Sequence, residues 1–218
     1  MKSDNINSCI RCGKCCLNGG PALHHEDIGL IHKNILHPNC LFTIRSGELV
    51  CHPLEEGLIK TGQELIKVKG AEDSWTCIFF DQKEVACNIY KNRPIECRVL
   101  KCWEPSESID LFMRGTLSRS DIIPDGSILN EMISIYEERF PAGEFLDMFN
   151  KTSRRWEENS IAISKMISID ISFRDKFMES FGVEEAQMEF FFGRRLKDLA
   201  EAMERCLTKR ASKSYPTF

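Results

Sequence analysis

Cys9-x-x-Cys12-Gly13-x-Cys15-Cys16 packs four thiols into eight residues, and no other stretch of the chain restricts its folding as tightly. A run so dense in cysteine has two physical outcomes, disulfides or a metal held by thiolates. The chain has 11 cysteines in 218 residues. That is an odd number and a fraction below the ~8–10% typical of short disulfide scaffolds. The opening residues MKSDNINSCI lack the apolar stretch that directs export. A reducing, cytoplasmic setting is therefore expected, and there clustered thiols bind metal or do redox chemistry rather than pair. Two-residue spacing lets a tight turn aim successive sulfurs inward to the ~2.3 Å that a metal–sulfur bond requires. Backbone amides of such a turn can donate to the sulfurs, and Gly13 can take a positive φ at little cost. Adjacent Cys15 and Cys16 are expected to point in different directions, one of them serving a second site or remaining a core thiol.

Further sulfurs follow at Cys77, Cys87, Cys97 and Cys102, and the last three share their stretch with Arg93, Arg98 and Lys101. Thiolate-bound metal centres are net anionic, so nearby cations stabilise them and tune their potentials. Arg93 and Arg98 are on that ground the candidate cofactor-binding cations. Three cysteines at two-residue intervals are similar to the opening of a bacterial ferredoxin run, whereas the usual four-cysteine zinc site uses two separated C-x-x-C knuckles. The spacing thus favours an iron–sulfur cluster, a four-iron [4Fe-4S] centre first, with zinc as the alternative.

At these residues the chain resembles a known family. The Cys9 to Cys16 set, followed by Cys77 and then Cys87-x-Ile-Tyr-x-x-Arg-Pro-x-x-Cys97-Arg-x-x-x-Cys102, is similar to the CxxCxxCC cysteine-cluster family. That family is described as zinc- or iron-chelating and includes flagellin lysine N-methylases. The resemblance implies one set of eight metal ligands: Cys9, Cys12, Cys15, Cys16, Cys77, Cys87, Cys97 and Cys102. It also implies that Glu26-Asp27-Ile28 opens a helix, and it covers roughly residues 9 to 102 around an insertion holding Cys40 and Cys51. As an alternative function it implies methyl transfer from S-adenosylmethionine to protein lysine. The chain is short for a flagellin methylase, and no G-x-G-x-x-G marks a Rossmann-type methyl-donor site.

Composition changes near residue 104. All five histidines and ten of the eleven cysteines lie upstream. The expected fold class is α+β, mostly α: a cysteine-rich metal-binding domain with short β-hairpins over residues 1–115, then a helical domain over 116–218. In the first half a short helix is expected over 26–36. The similar segments Cys40 to Cys51 and Cys77 to Cys87 are each expected to form a hairpin joining its terminal cysteines. In the second half, Ile128, Leu129, Met132, Ile133 and Tyr136 form one helical stripe. A second helix is expected over roughly 153–168, and a third ends at Gly182. The last and best-marked stripe runs from Val183 through Phe190, Leu196 and Met203 to Leu207.

Other features carry blander readings. His24-His25-Glu26-Asp27 reads as a helix start whose acidic groups favour the N-terminal dipole, rather than as metal ligands. His52, beside Cys51, is the reserve ligand, while His32 and His37 belong to a surface or a helix end. Gly19-Gly20-Pro21 is a turn. Phe190-Phe191-Phe192 reads first as core, and as a partner surface of the helical half second. Cys206 packs along the last stripe. A formal net charge of −4 leaves no basic excess to neutralise phosphates, so no nucleic-acid partner is expected. No run approaches the ~18 apolar residues of a membrane span.

Overall fold

The structure, a computed structural model, describes residue 9 and residues 11–51, 58–71, 74–101, 103–112, 114–150 and 156–212. Helix makes up 53% of it, beside short antiparallel strand pairs, so the fold is α+β and mostly α. The metal-binding half opens with α1 (Lys14–Leu17) and a 3₁₀ turn at His25–Asp27 leading into α2 (Ile28–His32). The helix expected to reach residue 36 stops at His32, because Asn34 adopts a left-handed φ of 56°. Strands β1 (Leu41–Ile44), β2 (Leu49–Cys51), β3 (Leu58–Lys60) and β4 (Leu65–Val68) follow. After them come β5 (Phe80–Asp81), β6 (Ala86–Cys87), α3 (Ile95–Val99) and α4 (Ser106–Leu111).

The segment from Cys40 to Cys51 is not a hairpin. Strand β1 pairs antiparallel with β4, Leu41 opposite Val68 and Ile44 opposite Leu65, while β2 pairs with β3. Between β1 and β2 the chain turns inward so that Arg45 and Glu48, both fully buried, can pair with each other. Glu48 also accepts from Arg194 across the molecule, at 2.6 Å. That buried carboxylate sends the two strands to different partners. The segment from Cys77 to Cys87 does form the expected hairpin, with Phe80 opposite Cys87 across β5 and β6.

The second half holds α5 (Ile128–Arg139), α6 (Ala142–Asn150), α7 (Trp156–Phe181), α8 (Glu185–Phe192) and α9 (Leu196–Ser212). Helix α5 carries the expected stripe, with Ile133 and Tyr136 buried. The two helices expected before Gly182 are one, since neither glycine nor proline interrupts residues 156–181. The last stripe is instead split. Gly193, at φ 66°, ends α8, and a Cβ there would lie 3.0 Å from the Thr43 carbonyl oxygen and 2.9 Å from the Arg45 side chain. Strand β1 approaches too closely for one helix to continue. Phe190, Phe191 and Phe192 are all buried, as the core reading has it.

One apolar cluster runs through both halves. It includes Leu23, Leu41 and Ile66 from the first and Tyr136, Phe145, Phe192 and Leu199 from the second. Strand β1 lies on α8, where Thr43 donates its hydroxyl to the Phe190 carbonyl at 2.6 Å. Buried ions are tied into the same core. The Asp170 carboxylate accepts from the Tyr136 hydroxyl and Arg174 Nε, each at 2.7 Å, and from the Leu196 N–H at 2.9 Å. Arg174 also donates to the carbonyls of Phe192 and Gly193, so one ion pair locks the break between α8 and α9 onto α5 and α7. Arg119 joins Glu64 to Glu137, and Glu137 reaches Arg45.

Candidate metal centre

The first cysteines sit in a turn built for close packing. Arg11 and Gly13 have φ of 54° and 74°, and the Arg11 N–H donates to Cys9 Sγ at 3.4 Å. A Cβ at Gly13 would fall 2.3 Å from the tip of the Phe80 ring. Glycine therefore lets this turn lie directly on the β5–β6 hairpin. The Cys77 N–H donates to the Cys16 carbonyl at 2.7 Å, fastening the hairpin's first cysteine to α1. Cys97 lies on α3, which begins just after Pro94.

These elements enclose a cavity of about 250 Å³. Cys9, Cys12, Cys15 and Cys16 line it from one side, and Cys77, Cys87 and Cys97 from the other. Seven of the eight predicted ligands thus come together, and Cys102 lies outside the described residues. Cys9, Cys12 and Cys15 are exposed, Cys16, Cys87 and Cys97 partly buried, and Cys77 buried. The Sγ atoms of Cys15 and Cys16 are 4.0 Å apart. That corrects the expectation that neighbours in sequence must diverge: both sit in the short α1 turn and both face the cavity.

The thiols perturb one another. Burial, and then the charge of Cys15, pushes Cys16 up to about 12 from 9.0. Burial raises Cys97 further, with Cys77, Cys15 and Cys16 adding to it. Burial also raises Cys77, with Cys87 and Cys15 contributing. Such a group holds its protons at neutral pH until a cation takes their place. Among the described residues no three His, Cys, Asp or Glu side chains already stand at the spacing of a single-ion site. The donor set itself fits soft, thiolate-bound metal.

Cations rim the cavity. Arg11 and Arg93 both stack on the Tyr90 ring, at 4.2 and 3.8 Å from its centroid. Arg93 also donates to the Tyr90 carbonyl at 3.0 Å. Arg93, expected from sequence to serve the cofactor, lines the cavity together with Arg11 and Lys14. Arg98 faces elsewhere, 3.8 Å from the buried Asp27, and Lys101 pairs with Glu107. Cys40 is buried outside the lining and donates its thiol to the His37 carbonyl at 2.9 Å. His52 lies outside the described residues, as does the side chain of Cys206.

Asp27 accepts from the His24 N–H at 3.1 Å, as its expected capping role requires. The same stretch also holds a feature the sequence reading passed over. Fully buried His24 donates Nδ1–H to the Arg114 carbonyl at 2.7 Å, and its Nε2 lies 3.3 Å from Glu96. Burial lowers the imidazole pKa, but the Glu96 hydrogen bond, the Arg114 carbonyl and the charges of Glu96 and Asp27 outweigh it, and the net shift is upward. Glu96, beside Cys97, lines the cysteine cavity. With the two partners 72 positions apart, only Glu96's place beside Cys97 hinted at its role.

A chamber of convergent thiols with a cationic rim defines a metal-binding protein of the cysteine-cluster class. Residues 8–114 match the sequence model of the CxxCxxCC family, described as a "putative zinc- or iron-chelating domain". This part of the chain belongs to that family. No curated protein and no solved structure matches the chain.

Proposed function

We propose that the chain holds a [4Fe-4S] iron–sulfur cluster in the cysteine-lined cavity, with a structural or redox role. The observation that carries this reading is the gathering of seven thiols around one chamber, enough to supply the four thiolates a cluster needs, and the Cys9-x-x-Cys12-x-x-Cys15 opening favours iron–sulfur over zinc. Cys16, Cys77 and Cys97, whose protons are held by burial and by neighbouring thiols, are the inner donors together with Cys15 and Cys87. Cys9 and Cys12 close the exposed side. Arg11, Lys14 and Arg93 offset the negative charge of the bound group, and the stacking on Tyr90 holds two of them in place. When bound, such a cluster supplies one-electron chemistry at a potential set by nearby charge and hydrogen bonds.

Zinc is the second reading, and one distance favours it. Two sulfurs bound tetrahedrally to one ion at ~2.3 Å stand about 3.8 Å apart, and Cys15 and Cys16 are at 4.0 Å. No observation favours methyl transfer. Elemental analysis with acid-labile sulfide on protein purified without oxygen separates the two metals. Iron and sulfide near four per chain, with a broad absorption band near 400 nm, are expected. Zinc without sulfide replaces the cluster reading with the zinc one. In either case Cys97→Ala loses metal and Cys40→Ala retains it; full metal content in Cys97→Ala overturns the ligand assignment.

A further inference from the structure

The β1–β4 pair has two faces, and only one belongs to the common core. Side chains alternate along a strand, and residues directly opposite share a face. Leu41, Ile66 and Val68 point to the main cluster. Phe42, Ile44 and Leu65 form a separate small cluster with Val50 packed against it. These four line a second cavity of about 600 Å³. Helix α9 closes it with Leu199 and Met203, and the exposed Trp75 stands at its edge. The volume lies in the ~300–1,000 Å³ range of small-molecule sites.

Charge selects the occupant. Three charged side chains line this cavity: Lys67, Glu96 and Arg194. Two already have partners. Arg194 donates twice to the buried Glu48 carboxylate, from Nε at 3.0 Å and from Nη2 at 2.6 Å. Glu96 accepts from the Ala22 N–H at 2.7 Å and pairs with His24. Lys67, opposite Phe42 on the apolar face, has no carboxylate partner among the described residues. An apolar chamber carrying one ammonium without a carboxylate partner among the described residues is complementary to an apolar body bearing one negative charge.

We propose that this cavity binds an apolar monocarboxylate, its chain lying over Phe42, Ile44 and Leu65 and its carboxylate paired with Lys67. The site abuts the metal centre. The two cavities share Gly19, Gly20, Val68 and Glu96, and a Cβ on Gly20 would meet the Val68 carbonyl oxygen at 2.3 Å. This cavity and the thiol chamber therefore adjoin across these four residues. This inference does not depend on which metal that chamber holds.

Calorimetric titration of the metal-loaded chain with decanoate tests it, using decyltrimethylammonium as the probe of opposite charge. Saturable binding of one decanoate per chain is expected, with the cation bound at least about tenfold more weakly. Lys67→Met, which keeps the apolar stem and removes the charge, is expected to weaken decanoate binding about tenfold, the size of one lost charge-assisted contact. Absence of saturable decanoate binding overturns the proposal. Equal affinity of the wild type for the two probes does so as well, and that comparison requires no variant to fold. Lys67→Met binding decanoate as tightly as the wild type removes Lys67 from the site and overturns the charge argument.

Discussion

The cysteine region and the helical region solve the same problem with different materials. The helices bury a continuous aromatic core, in which Tyr136, Phe173, Phe177 and Phe192 lie with ring centroids 4.8–6.4 Å apart. Their buried ions are paired, as Arg174 is with Asp170. Such a region is held by its own side chains. The cysteine region has strands of two residues and helices of four and five, too short to stand alone. The partly buried thiols of Cys16 and Cys97 are held protonated by burial and by neighbouring thiols. On the proposed reading the region's stability comes from the metal that replaces those protons. The lesson is that one shared core joins a region held by aromatic rings and paired ions to one whose thiols, on the proposed reading, are completed by a metal.

Removing the metal is the largest way to break this comparison. Thiolate-bound structural metal contributes up to roughly 10–16 kcal/mol. Stripping it is expected to abolish amide protection across residues 77–97 while 156–181 stay protected. Hydrogen exchange on chelated protein reads this directly, and equal loss in both regions means the metal supports the whole core. Next in size is Asp170→Ala, which leaves the guanidinium of Arg174 buried without its carboxylate. A loss of about 3–5 kcal/mol is expected, measured by denaturant unfolding, with metal content per folded chain unchanged. Metal loss at the same denaturant midpoint joins the two regions into one unit.

Acid sharpens the comparison on the cysteine side. Metal must displace protons from thiols whose folded-state pKa is raised, so affinity falls as pH falls. The slope is about tenfold per pH unit for each proton displaced, and chelator competition between pH 6 and 8 is expected to give at least about hundredfold per unit. The metal-free protein runs the other way. Its raised thiols favour folding below the ordinary value of 9.0, and that contribution is lost as pH climbs through the folded value, about 12 at Cys16. Gly13→Ala has the smallest effect. The left-handed φ and the contact with Phe80 cost about 1–2 kcal/mol, and because Phe80 faces Cys87 the strain is expected as a lower melting temperature together with faster metal release. A lower melting temperature with unchanged release places the strain outside the site.

Much of the site was legible because thiols at close spacing have few physical uses. Cys9, Cys12, Cys15 and Cys16 identify themselves, and Arg93 was found from its place between Cys87 and Cys97. The helical stripe of α5 was legible for the same kind of reason, since periodicity is a local property. The hairpin from Cys77 to Cys87 formed, while the similar segment from Cys40 to Cys51 did not. Nothing local separates those two cases. The difference lies in Arg194, 146 residues from Glu48, which donates to that buried carboxylate and holds the intervening turn inward.

What the sequence determined by itself was therefore the chemistry: a metal-binding first half rich in cysteine, a helical second half, and the positions of most of the sulfurs. Tertiary structure alone decided which elements meet. It split the last helix at Gly193 because β1 passes there, merged two expected helices into α7, and set Glu96 against His24 between two cavities. It also left a cavity over the Phe42 face of a two-stranded sheet beside the thiol chamber. Spacing along the chain governs which atoms a turn or helix can aim. Contacts between residues more than a hundred positions apart depend on which buried surfaces and charges can be satisfied together, and that is settled only when the whole core closes.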